Sequence, residues 1–311
     1  MGAVPQAAAR DGSAGSAGSW SERYVMAPDG TRLYARRRGP ESAPLTSVLC
    51  DGIACDGFIW KYLVDDLLAH GAVLHWNYRG HGRSAAPTDP DRIEMSDLVS
   101  DLDAVRDAWV PGPALLFGHS LGCQVALEGY RSRPRDVAGL VLICGAPGHV
   151  THTFKGTDAL AQALPGLIER VKRNPQLSRA LWGNLPPSVA TRIALRTGEV
   201  ASNIRAEDLL PYMEHIADLD LLMFLRMLRA AGEVTADDVL PTLQVPVLVV
   251  AGELDSFTPL HLAERMAAQI PNSELAVFRG ATHVVPIERR EELRERIAKF
   301  VRDRVCGGNA P

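Results

Sequence analysis

Gly118-His119-Ser120-Leu121-Gly122 is the stretch whose reading decides the fold. It places a serine between two glycines, each two positions away. The apolar run 114–117 leads into it, and helical spacing begins just after Ser120. Strand, sharp turn and helix are the context in which G-x-S-x-G exposes a nucleophilic hydroxyl. The glycines let such a turn close without a Cβ clash. The helix start leaves free amides and a partial positive charge behind the serine, and both favour the oxyanion formed when a hydroxyl attacks a carbonyl. An ordinary glycine-flanked turn has the same five letters, so the reading depends on what the rest of the chain supplies.

Residues 24–38 read as a hairpin turned by Pro28-Asp29-Gly30. Residues 46–50, 73–78, 137–143, 245–251 and 274–278 read as further strands. Helical spacing covers residues 58–70, a segment opening at Ser96, and residues 260–269 and 291–305. This alternation predicts an α/β fold with right-handed βαβ units and a mostly parallel, eight-stranded sheet covered by helices on both faces. Residues 150–238 carry helical signals and no convincing strand. The expected division is a flexible tail over 1–20, a core over 21–149 and 239–306, a helical cap over 150–238, and a short tail over 307–311. Ligands of open α/β sheets bind at the carboxyl ends of the strands, and a cap there would exclude water.

A serine hydroxyl needs an adjacent base. His283, in Gly280-Ala281-Thr282-His283, follows one strand and precedes the last helix. It is the candidate base among nine histidines, although a surface-loop histidine has the same local look. The imidazole in turn needs an acid to fix its tautomer and stabilise its cation. Asp255, just past the strand 245–251, is the candidate, with Glu253 as its competitor. Each of the three, Ser120, Asp255 and His283, falls at the carboxyl end of a strand, in the chain order of this fold's triads. The backbone amides of Ile53 and Leu121 are the expected oxyanion donors.

With those residues in place, the chain resembles the α/β-hydrolase superfamily from about residue 21 to 305. Asn77-Tyr78-Arg79-Gly80-His81-Gly82-Arg83-Ser84 is similar to the family's D-x-R-G-x-G-x-S segment, with Asn77 where the family often has Asp. A second departure is Asp51-Gly52, where the family usually reads His-Gly. A carboxylate aimed at an oxyanion would oppose catalysis, so Asp51 is expected to bond loop amides, with substrate contact as the alternative. Serine in the elbow disfavours the dehalogenases and epoxide hydrolases, which use aspartate. The resemblance implies an esterase, lactonase or thioesterase acting through an acyl-enzyme. Carbon–carbon bond hydrolases, cofactor-free perhydrolases and non-catalytic ligand-binding proteins on the same scaffold remain alternatives.

The run Leu221-Leu222-Met223-Phe224-Leu225 is apolar almost all round, so Met223 and Phe224 are expected to line an acyl pocket, with Phe58 and Trp60 opposite. The expected ligand is therefore a small acyl substrate, with no cofactor and no metal. A net charge of −4 argues against a general nucleic-acid partner. No apolar run approaches the roughly 20 residues of a membrane span. Five cysteines in no zinc-like spacing, with Cys50 and Cys144 in apolar runs, fit a reducing cytoplasmic compartment. Oligomeric state is not legible.

Overall fold

The computed structural model describes residues 18–153, 157–176, 186–191 and 204–307. Most of the expected N-terminal tail, part of the segment 150–238 and residues 308–311 lie outside the described residues.

Eight strands form one sheet: β1 (Ser21–Met26), β2 (Arg32–Arg38), β3 (Thr46–Cys50), β4 (Ala72–Trp76), β5 (Ala114–His119), β6 (Val137–Ile143), β7 (Val247–Gly252) and β8 (Ser273–Phe278). Their order is β1-β2-β4-β3-β5-β6-β7-β8. The pairings β1–β2 and β2–β4 are antiparallel and all the others parallel. Central strands β3 to β7 are buried on both faces, which is why they read as continuous apolar runs. Side chains alternate between two cores. Val48, Cys50 and Leu116 point to one, with α1 (Met95–Trp109), α2 (Leu121–Ser132) and α6 (Leu260–Gln269) beyond. Leu49, Leu115 and Phe117 point to the other, closed by Ile59, Leu63 and the Leu293, Ile297 and Phe300 stripe of α7 (Arg290–Phe300). Helix α1 starts one residue earlier than the spacing predicts, because Glu94 and Asp97 form a reciprocal capping box.

Two helices differ from expectation. Residues 58–70 are a 3-10 turn (Phe58–Trp60), one helical turn (Val64–Leu67) and another 3-10 turn (Leu68–His70). Phe58, Ile59 and Trp60 are all buried, and the Trp60 indole is drawn inward to Asp51. The last helix ends at Phe300 and widens into π-type turns over Val301–Cys306.

Between β6 and β7 the described elements are helical. They include α3 (Ala159–Arg173), α4 (Ala206–Asp218) and α5 (Leu221–Glu233). Leu225 of α5 packs with Leu164, Ile168 and Val171 of α3, while Met227 and Ala231 turn into the sheet's first core. The entry and exit of this excursion meet in an isolated bridge between Gly148 and Thr235, flanked by His149 N–H to Val234 O (3.3 Å) and Ala236 N–H to Pro147 O (2.8 Å). Among the described residues, no helix is long and apolar enough to cross a membrane.

The segment after β4 is anchored by a buried charge cluster. Arg79, 1% exposed, donates through Nε and Nη2 to both oxygens of fully buried Asp101 (2.8 and 2.6 Å), and through Nη1 to Asp29 (2.9 Å) and the Arg92 carbonyl (2.6 Å). Asn77 accepts the Arg83 amide, and the Ser84 hydroxyl spans the Asn77 carbonyl and the Tyr34 amide. Removing one partner of a buried pair strands the other. Arg79→Met should therefore cost about 3–5 kcal/mol of unfolding free energy, read from urea midpoints; a loss within error of zero would show that Asp101 finds another partner.

Candidate active site

The elbow is fixed by close backbone approach. A Cβ on Gly122 would overlap the Cys50 carbonyl, and one on Gly118 would overlap the Gly122 carbonyl. Helix α2 therefore starts hard against β3. Ser120, its N-cap, is held at φ 53°, ψ −119°, a strained setting for a residue with a side chain. Leu121, first in α2, has no intrahelical acceptor for its amide. The Asp51-Gly52-Ile53 loop passes directly beside the serine: a Cβ on Gly52 would sit 3.2 Å from Ser120 Cβ and 3.0 Å from His119 Nδ1.

Asp255 and His283 follow β7 and β8, the two strands beyond β6 on the same side of β5. Their loops touch. Leu254 N–H donates to the Ala281 carbonyl (2.8 Å), and Gly252 has no room for a side chain against the Thr282 carbonyl. His283 Nδ1 donates to Asp255 Oδ2 at 2.8 Å. Asp255 is 5% exposed and its remaining capacity is filled by the Phe257 amide (2.8 Å), the Thr258 amide (2.9 Å) and the Thr258 hydroxyl (2.7 Å). Burial pushes its carboxyl up, but the His283 charge and hydrogen bond and the Thr258 bonds outweigh it and hold Asp255 below the usual carboxylate range. With Nδ1 committed to an ionised carboxylate, proton exchange by His283 falls to Nε2. His119 Nε2 donates to the His283 carbonyl at 3.0 Å, and the two rings lie 5.0 Å apart, tying the His283 loop to the elbow. The Phe257 ring also lies 5.0 Å from the His283 ring.

Glu253 is turned away from this cluster and accepts the Gly280 amide (2.9 Å). Cys55 lies beneath the loop beside Gly52. Burial pushes its thiol well above the ordinary range, so it stays neutral and does not compete with Ser120 as a nucleophile.

The expected pocket residues divide. Asp51 does not bond loop amides and does not face a ligand: it is fully buried, with Oδ1 accepting the Trp60 indole N–H (2.6 Å) and Oδ2 facing His75 Nε2 (2.9 Å). Trp60, 1% exposed, is drawn inward by that bond and lies under Phe117 and His119 rather than in a pocket wall. Phe58 stacks on Tyr212 of α4 (4.6 Å, 20°) and borders a cleft of about 400 Å³ shared with Trp20, Arg36 and Lys61. Met223 lies over Gly80, where a Cβ would strike its sulfur. Phe224 packs against the α3–α5 cluster. Sequence reasoning missed Thr258, Phe257, His75 and Tyr212. Only Thr258, three residues after Asp255, carried a local signal, since Asp and Thr at that spacing favour a side-chain-closed turn.

The alpha/beta hydrolase family model matches residues 48–296. The chain belongs to the alpha/beta hydrolase family. It is an enzyme, a hydrolase of that family. It is 29% identical, over 91% of its length, to polyketide synthase ThaQ of Burkholderia thailandensis, a protein of which the match spans only 13%. It is 24% identical to the pimeloyl-[acyl-carrier protein] methyl ester esterase of Vibrio parahaemolyticus, covering 82% of this chain and 94% of that one. The esterase EaEST from Exiguobacterium antarcticum shares the fold, with a TM-score of 0.71 at 23% identity over 90% of this chain and 98% of that structure.

Two imidazoles around the site are buried neutral. His119 and His81 are both pushed down to about 4 by burial. His81 Nδ1 donates to the Arg79 carbonyl (3.1 Å) and Nε2 accepts the Ala54 amide (3.3 Å). Above pH 6.5, the ordinary histidine value, neither the folded nor the unfolded state binds these protons, so stability is complete. As pH falls from 6.5 towards 4, only the unfolded chain takes them up, and each histidine then costs about 2 kcal/mol at pH 5. Urea unfolding at pH 7.5 and 5 should show this loss, and His81→Asn should remove about half of it. An unchanged pH slope in that variant would eliminate His81 as a source.

Proposed function

We propose that this enzyme is a serine hydrolase that cleaves an ester, lactone or thioester of a small, fairly apolar acyl substrate through an acyl-enzyme. The observation that carries the reading is the buried, fully satisfied Asp255 bonded to His283 Nδ1, in loops tied to a serine held at positive φ. Ser120 Oγ attacks the carbonyl carbon while His283 Nε2 takes its proton. Asp255 stabilises the imidazolium. The Ile53 and Leu121 amides hold the oxygen of the tetrahedral intermediate. The intermediate collapses with His283 returning the proton to the leaving alcohol or thiol. Water, deprotonated by His283, then releases the acyl group and regenerates the Ser120 hydroxyl.

The apolar character rests on the helical excursion, which serves as a cap over the strand ends in this reading. Met223 reaches the loop after β4, and Leu221, Leu222 and Phe224 are partly buried around α5. That a relative is a pimeloyl-[acyl-carrier protein] methyl ester esterase supports the ester bond as the one cleaved.

A fluorophosphonate should label the wild-type enzyme and fail to label Ser120→Ala. Against an activated ester, Ser120→Ala and His283→Ala should each lose on the order of 10⁴-fold or more in kcat. Asp255→Asn should lose about as much with KM little changed. Labelling that persists in Ser120→Ala would overturn the assignment.

A further inference from the structure

Asp51 opens the loop that carries Ile53, and it is held from three directions. The Trp60 indole donates to Oδ1 (2.6 Å), His75 Nε2 bonds Oδ2 (2.9 Å), and the Tyr78 hydroxyl donates to its main-chain carbonyl (2.8 Å). Asp51 and Tyr78 are wholly buried, and Trp60 and His75 are each 1% exposed, so no water can substitute for a missing bond. One layer further out, Arg36 Nε donates to His75 Nδ1 at 3.2 Å.

The proton directions in this chain are fixed. A guanidinium only donates, so His75 Nδ1 must accept and Nε2 must carry the hydrogen. An indole N–H also only donates. The side chain at position 51 therefore faces two N–H donors and must set an acceptor atom against each, which a carboxylate does and an amide or imidazole does not. The aspartate that stands where the family usually has histidine is thus matched to Trp60, His75 and Arg36 together. Beyond Ile53 the loop is strained, with Ala54 at φ 59°; there the Ala54 amide is held by His81 and the Cys55 amide closes a turn onto the Gly52 carbonyl. Its other end depends on Asp51.

The geometry points to Asp51 as a positioning residue for the oxyanion site. Its two carboxylate oxygens, through Trp60 and His75, set the backbone of the loop so that the Ile53 amide faces the oxyanion without Asp51 touching substrate. This rests on the proposed roles of Ser120 and Ile53.

The test is steady-state kinetics on an activated ester, with thermal unfolding as the check on folding. Asp51→Asn keeps the acceptor for Trp60 but sets its NH₂ against the His75 Nε2–H. The expected result is a fall in kcat of about 10²-fold, the scale of a lost oxyanion donor, with KM within about threefold of wild type. Arg36→Met alone should stay near wild-type kcat, because the Asp51 carboxylate by itself keeps the proton on His75 Nε2. In Asp51→Asn/Arg36→Met the His75 proton is free to move to Nδ1, Nε2 can accept from the amide, and kcat should recover at least about tenfold over Asp51→Asn. Wild-type kcat in Asp51→Asn, a loss confined to KM, or a double variant no better than the single one would overturn the proposal. Should Asp51→Asn not fold, Trp60→Phe takes its place: about a tenfold loss of kcat at constant KM is expected, and unchanged kcat overturns it. Ester hydrolysis that survives in Ser120→Ala, run in parallel, would instead bring down the underlying serine mechanism and this proposal with it.

Discussion

Helix α2 can begin directly above β3 only because Gly122 carries no side chain against the Cys50 carbonyl. That contact has a sequence of effects. It forces the chain to turn within one residue, which puts Ser120 at positive φ. It leaves the first-turn amides of α2 without intrahelical acceptors beside Ser120. It also brings the end of β3 so near the serine that the following loop must pass through Gly52. The strain at Ser120 is held because everything around it is packed on both faces of the sheet, where neither α2 nor β3 can retreat.

Three buried charge-bearing clusters have their hydrogen-bonding capacity committed to neighbours: Arg79 to Asp101 and Asp29, Asp255 to His283 and Thr258, Asp51 to Trp60 and His75. A buried charge without such partners would cost several kcal/mol. The three clusters differ in what they hold. The first fixes the segment after β4, the second sets an imidazole tautomer, and the third sits under the loop beside the serine.

The architecture was legible because its signals are local and redundant. Doubly buried strands such as Val137–Ile143 write themselves as unbroken apolar runs, and Ser120, Asp255 and His283 each sit within a few residues of a strand end. The failures share a cause, since each depended on a partner distant in sequence. Residues 58–70 have helical spacing, but with Trp60 drawn to Asp51 the segment forms a series of short turns instead. Asp51 could be seen to depart from the family pattern, but its partners, His75 on β4 and Arg36 on β2, adjoin it only once the strands are ordered in the sheet. The burial of Trp60 and the stacking of Phe58 on Tyr212 were hidden for the same reason.

The bridge between Gly148 and Thr235 closes the helical excursion at its base. Seen from the sheet, everything between those residues is a loop whose two ends are already pinned together. The entropy of closing such a loop grows only logarithmically, at about 0.6 kcal/mol per doubling of length. A change in its length therefore costs the sheet little in closure entropy, provided the residues that pack into the sheet's core, such as Met227 and Ala231, are kept. The sheet and its elbow are constrained atom by atom, whereas the excursion is tied to them through its pinned base and a few buried side chains, which leaves much of its length open to variation.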